Sequence, residues 1–91
     1  MSISSIAMNS PHNTPLDIHK ILGVVFHMPP ESIHDSDSPD TIPAWDSFQT
    51  LIMFQELEKA AGVSFELKDT AHVRTVGDIK LLLEKYNVET L

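Results

Sequence analysis

The residue whose type and placement suggest chemistry is Ser47. It follows a tryptophan and an aspartate in the run PAWDSFQTLIMFQELEKAAG, residues 43 to 62, and falls on the first turn of a helix-forming segment. A hydroxyl there meets the unpaired N–H groups and partial positive charge of a helix start. A phosphate ester on that oxygen would be stabilised by the same dipole. Serine is also an ordinary first-turn residue, so position alone leaves both roles open. Asp46 is the candidate N-cap, and Gln49 three residues on completes a capping-box-like pair. With Asp46 occupied as a cap and no Gly-x-Ser-x-Gly elbow around Ser47, the serine lacks an activating base. Catalysis by this chain alone is not expected. Five histidines, His12, His19, His27, His34 and His72, raise the question of a metal. His19 and His27 lie about 80° apart on an ideal helix and no HExxH pair exists, so no metal site is expected.

Composition bounds the setting. The chain has 91 residues, 42% of them apolar and 21% charged, which suits one folded domain without a deep cleft. It contains no cysteine, so neither a disulfide framework nor a thiolate metal site is available, and a reducing, cytoplasmic setting fits. No apolar run approaches the roughly 20 residues of a membrane span. The N-terminal MSISSIAMNSPHN lacks the basic start and apolar stretch of a signal peptide, and residues 1 to 13 read as a flexible tail. Net charge is −7, and its placement is uneven. Between Lys20 and Lys59 there is no Lys or Arg, while Glu31, Asp35, Asp37, Asp40, Asp46, Glu56 and Glu58 supply seven acids. The rest of the chain balances six acids against six bases. Such a field repels nucleic acid and anionic membrane and draws basic partners to one region. A solvated acidic loop that only keeps the protein soluble accounts for the same composition.

Four helices are expected between residues 14 and 88, and no sheet. The first opens at Thr14-Pro15 with Asp17 in its first turn, carries Ile18, Ile21, Leu22 and Val25 at helical spacing, and ends at Met28-Pro29-Pro30. Residues 29 to 45 form a long loop holding four prolines, pinned to the body by Ile33, Ile42 and Trp45. The second helix runs from Ser47 to about Ala61 with Gly62 as its C′ residue. Val63, Phe65 and Leu67 alternate but have no pairing partner, so VSFEL reads as an extended connector, followed by a short helical turn within Lys68 to Val73. Thr75 caps the last helix with Asp78 at its third position, and Val76, Ile79, Leu82, Leu83 and Tyr86 supply its apolar stripe. The expected core comprises Ile18, Ile21, Leu22, Val25, Leu51, Phe54, Leu57, Phe65, Val73, Val76, Ile79 and Leu83.

Within the second helix, Thr50, Met53, Phe54, Leu57, Ala60 and Ala61 share one broad inward arc, with Leu51 at its edge. Phe48 and Ile52 fall on the outer side beside Gln55, Glu56 and Lys59. Two large apolar side chains beside Ser47 on an outer face predict a docking surface; Phe48 packing under the preceding loop is the alternative.

The runs WDSFQTLIMFQELEKAAGVSF and RTVGDIKLLLEK together resemble the acyl carrier protein family. Its hallmark is Asp-Ser-Leu at the start of the second helix, then a Leu-Glu pair near that helix's end and a Thr-Val pair opening the last helix. The matching residues are Asp46-Ser47-Phe48, Leu57-Glu58 and Thr75-Val76, and the resemblance extends from about residue 14 to 86. It implies an all-α, four-helix bundle with a long loop between helices one and two and a short third helix. It also implies that Ser47 is esterified with 4′-phosphopantetheine derived from coenzyme A, with Asp46 beside it, and that acyl or aminoacyl groups ride on the arm as thioesters. The reactive sulfur would then arrive with the prosthetic group, which suits a chain without cysteine. Implied partners are a phosphopantetheinyl transferase and acyl-loading and acyl-transfer enzymes with basic docking patches, gripping Phe48, Ile52, Gln55, Glu56 and Lys59 of a monomer. Phe48 replaces the usual leucine, a volume change at a tolerant apolar position, and the outer face is mixed rather than acidic, which points away from housekeeping fatty-acid synthesis toward a specialised pathway. Trp45 resembles stand-alone carriers of secondary-metabolite or surface-glycan pathways. A small helical interaction module without a prosthetic group, Ser47 being only a first-turn residue, is the alternative.

Overall fold

A computed structural model describes residues 15 to 91. The Thr14 cap, the tail assigned to residues 1 to 13 and His12 lie outside the described residues. Among the described residues four helices make up an all-α bundle: α1 (Ile18–Phe26), α2 (Ser47–Ala61), the single-turn α3 (Leu67–Thr70) and α4 (Val76–Lys85). A 3-10 turn at Pro30–Ser32 opens the long α1–α2 loop.

Helix α1 starts later than its proline suggests. Asp17 is the cap itself, accepting the Lys20 N–H at 3.1 Å, because Leu16 is drawn into extended pairing with the chain's last residues. Leu16 donates to Glu89 O at 2.8 Å and accepts from Leu91 N at 2.9 Å. The organised chain thus extends past residue 88. Helix α1 also ends earlier than Met28: His27 takes left-handed φ/ψ (58°, 47°), and the His27 and Met28 N–H groups return to Gly23 O. Gly23 is required where it stands. A Cβ there would lie 2.6 Å from the Met28 carbonyl oxygen as the chain folds back over the helix.

Fully buried side chains of α1, α2 and α4 meet in the middle: Ile18, Leu22, Met53, Leu57, Val76, Ile79 and Leu83. From the loop, Ile33, Ile42 and Trp45 are buried with them, as their apolar character predicted. Phe26 joins this layer and stacks on Trp45, ring centroids 5.2 Å apart. Phe54, Phe65 and Tyr86 form an edge-to-face series across one end, Phe54–Phe65 at 6.0 Å and Phe65–Tyr86 at 5.2 Å, and this series holds the connector between α2 and α3. Ile21, Phe54, Phe65 and Val73 are half-buried against the core rather than inside it. Leu51 belongs to no core layer, and its side chain is 62% exposed.

The middle of the long loop is fastened to itself and to α4. Asp37 folds it on itself, its carboxylate accepting the His34 N–H and the Thr41 hydroxyl, both at 2.8 Å. Its backbone then supplies what the first turn of α4 lacks: Val76 N donates to Asp37 O at 3.0 Å and Gly77 N to Asp35 O at 2.9 Å. Lys80, one turn further along α4, reaches Asp35 Oδ1 at 2.6 Å. Thr75 and Asp78 complete a full capping box at the same helix end, as expected. On the other side of the bundle, Tyr86 ties α3 to α4. Its hydroxyl accepts the Glu66 N–H at 2.9 Å and donates to Asp69 Oδ2 at 2.7 Å, and Lys85 pairs with the other oxygen of Asp69.

Candidate functional site

Ser47 is the first residue of α2, and it is exposed. Five contacts hold the turn that presents it. Trp45, 4% exposed and stacked on Phe26, pins the chain immediately upstream, and its N–H donates to Ile42 O at 2.9 Å. Asp46 accepts the Gln49 N–H at 2.8 Å through its side chain and the Thr50 N–H at 2.9 Å through its carbonyl. Thr50 Oγ1 also donates to that carbonyl, at 2.7 Å. Among the described residues the N–H groups of Ser47 and Phe48 have no protein acceptor. Ser47 is therefore the exposed first residue of a 15-residue helix, at the positive end where two N–H donors are unpaired.

The capping-box expectation at this end is half right. Gln49 does not return its side chain to Asp46. Its Nε2 instead donates to Val25 O at 2.8 Å, taking one of the carbonyls that the end of α1 leaves open. The start of α2 is thereby clamped to the end of α1 at one point by Gln49 and at another by the Trp45–Phe26 stack.

The outer face of α2 also departs from expectation at two positions. Phe48 is exposed (67%), as predicted, and so are Gln55 and Lys59. Ile52 and Glu56 are half-buried, whereas Leu51 is open. Taking Leu57 as the inward direction, Leu51 and Ile52 lie about 120° and 140° away on opposite flanks, so helix geometry scarcely separates them. The neighbours decide. Helix α1 lies along the flank of Gln49, Glu56 and Ala60, the flank on which Ile52 is half-buried, while Leu51 on the other flank is open. The apolar surface beside Ser47 is Phe48 with Leu51.

Most of the acids between Lys20 and Lys59 have structural partners. Asp35 pairs with Lys80, Asp37 organises the loop, and Asp46 caps α2. Glu56 meets Lys59 at 3.5 Å on the surface, and Glu58 accepts the Phe65 N–H at 2.7 Å. The Lys80 ammonium holds the Asp35 carboxyl below the usual carboxylate range, and the His34 N–H with the Thr41 hydroxyl does the same for Asp37. Glu31 and Asp40 make no side-chain hydrogen bond or ion pair among the described residues. Likewise among the described residues, no group of three or more His, Asp or Glu side chains is placed to hold a metal, and no helix is long and apolar enough to cross a membrane. No family model matches this chain, and neither does any curated protein.

Proposed function

We propose that this protein is a carrier: Ser47 Oγ is esterified with a 4′-phosphopantetheine arm, and acyl or aminoacyl groups are passed between partner enzymes as thioesters on its terminal thiol. The observation that carries this reading is the placement of Ser47 at the solvent-facing start of α2, on a turn braced by Trp45, Asp46 and Gln49. Attachment needs an exposed nucleophile on a fixed turn, and a phosphodiester there sits favourably against the helix dipole. The chain performs no chemistry itself in this scheme. A transferase supplies the base that Ser47 lacks, the Ser47 oxygen attacks the β-phosphorus of coenzyme A, and 3′,5′-adenosine diphosphate leaves.

Phe48 and Leu51 flank the arm and supply the apolar anchor for partners, with Gln55 and Lys59 on the same exposed face. Basic rims on those partners are steered by the net charge of −7 and act on association rate. The mixed outer face favours a specialised biosynthetic pathway, and a thiol-ended arm suits the reducing cytoplasm. The same apolar pair would serve an interaction module that never carries a group. Incubating the purified chain with a broad-specificity phosphopantetheinyl transferase and coenzyme A separates the two. The carrier gains the mass of one phosphopantetheinyl group and Ser47→Ala gains none; equal masses favour the interaction module.

A further inference from the structure

A groove of about 380 Å³ runs between α1 and α2, and its lining includes none of Ser47, Phe48 and Leu51. Its apolar lining comes from Ile21, Val24, Val25 and Ala60. All four are aliphatic, and Val24 is 71% exposed. The polar lining is Lys20, Lys59 and Glu56, which leaves one net positive charge in a protein of net charge −7. Those lysines are the two that bracket the segment without Lys or Arg in sequence, and folding brings them to one groove. Glu56 is engaged by Lys59 at 3.5 Å, while Lys20 has no acid partner among the described residues. The nearest acid to Lys20 in sequence, Asp17, directs its carboxylate to the Lys20 backbone N–H as the α1 cap.

From this pairing of aliphatic walls with an uncompensated ammonium, we infer that the groove binds a free single-chain alkyl carboxylate. One ammonium in excess matches one carboxylate. Lysine is a point charge without the fork that favours phosphate or bidentate anions. The walls offer no aromatic ring for an aryl group to stack on. The α1 residues lining the groove, Lys20 to Val25, rise about 7.5 Å, which suits a short or medium chain rather than a helix of a partner protein.

The inference does not depend on modification of Ser47, and its test uses the unmodified protein. Sodium octanoate is titrated at constant ionic strength into ¹⁵N-labelled chain, with 1-octanol and octylammonium as comparison ligands. Octanoate should shift the amides of Ile21, Val24, Val25 and Ala60 saturably, and both comparison ligands should bind more weakly. Lys20→Gln should weaken octanoate about two- to fivefold, the scale of one exposed charge pair, and leave octanol unchanged. Ser47→Ala should bind octanoate like the wild type, so the result stands whichever way the carrier test falls. Octanol binding as tightly as octanoate, an unchanged octanoate affinity in Lys20→Gln, or shifts centred on Phe48 and Leu51 would each overturn the inference.

Discussion

Replacing Trp45 tests whether the turn before Ser47 is held by burial. Its side chain is 4% exposed and stacks on Phe26 with ring centroids 5.2 Å apart and planes at 26°. Truncating a buried Phe or Trp to Ala costs about 3–5 kcal/mol, and an aromatic pair adds about 0.5–1.5 kcal/mol beyond burial, so Trp45→Ala belongs at the upper end. A domain of 91 residues has about 5–14 kcal/mol in total. With a urea slope of about 1–1.5 kcal/mol per molar, the midpoint should fall by at least ~2 M, and at the lower bound of stability the variant would be largely unfolded. Trp45→Phe keeps a ring against Phe26 and should lose about 1–2 kcal/mol. Circular dichroism is the readout, because Trp45 is the sole tryptophan and fluorescence disappears with it. Phe48→Ala, at a side chain 67% exposed, is the control and should stay within about 0.5 kcal/mol of wild type. If Trp45→Ala unfolded at the same urea concentration as Phe48→Ala, the bracing of Ser47 by this stack would be refuted.

Other outcomes follow from the same packing. Leu51→Asp should leave the urea midpoint nearly unchanged yet raise the dissociation rate of the transferase complex, whereas the half-buried Ile52 should lose about 1–3 kcal/mol of stability as Asp; the reverse pattern in stopped-flow and denaturation data would return the docking role to Ile52. Gly23→Ala should destabilise by about 1–3 kcal/mol despite alanine's better helix propensity, because its Cβ meets the Met28 carbonyl, and His27→Gly should stabilise by about 0.5–1 kcal/mol by relieving a left-handed residue. Asp35, Asp37 and Asp69 have folded pKa values lowered, first by the Lys80, His34 N–H and Lys85 hydrogen bonds respectively. The unfolded chain therefore takes up protons first, so their stabilisation is complete above the unfolded value of about 4 and is lost as pH falls toward the folded values. Asp37→Asn should accordingly flatten the acid limb of the stability profile. At the alkaline end the Asp69 hydrogen bond raises Lys85; for Tyr86 the Glu66 N–H favours the phenolate, but Asp69 and burial outweigh it. Both contributions are present below about pH 10 and lost above it, and Tyr86→Phe should remove the tyrosine's part.

The two ends of α2 and the start of α4 were the most legible part of the chain. Asp46, Gly62 and the Thr75–Asp78 pair carry local signatures that do not depend on the rest of the fold, and each does in the structure what its type suggests. Ile33, Ile42 and Trp45 were readable as loop anchors because isolated apolar residues in a polar stretch have few places to go. What escaped has no side-chain signature. The carbonyls of Asp35 and Asp37 receive the first turn of α4, and Leu16 pairs with the backbone of residues 89 to 91; any residue type offers those groups. Left-handed His27 is similar, since glycine is the usual marker and is absent there. Gln49 was misassigned because a local partner, Asp46 N–H, was visible in sequence and the distant one, Val25 O, was not. Leu51 and Ile52 were exchanged because each lies on a flank, and which flank is covered depends on where α1 packs. At the candidate site, the serine and its cap could be read from residue types, while the apolar surface beside them required tertiary structure.

The carrier reading is tested most directly at the level of one peptide. Trypsin should release the segment from Ile21 to Lys59, which contains four serines: Ser32, Ser36, Ser38 and Ser47. After treatment with a phosphopantetheinyl transferase and coenzyme A, fragmentation of that segment should place one phosphopantetheinyl group on Ser47 and leave the other three serines unmodified. The Ser47→Ala protein should yield only the unmodified segment while keeping the wild-type urea midpoint to within about 0.5 M. No mass gain in the wild type, or a gain that persists in Ser47→Ala, would contradict the assignment of Ser47 as the point of attachment.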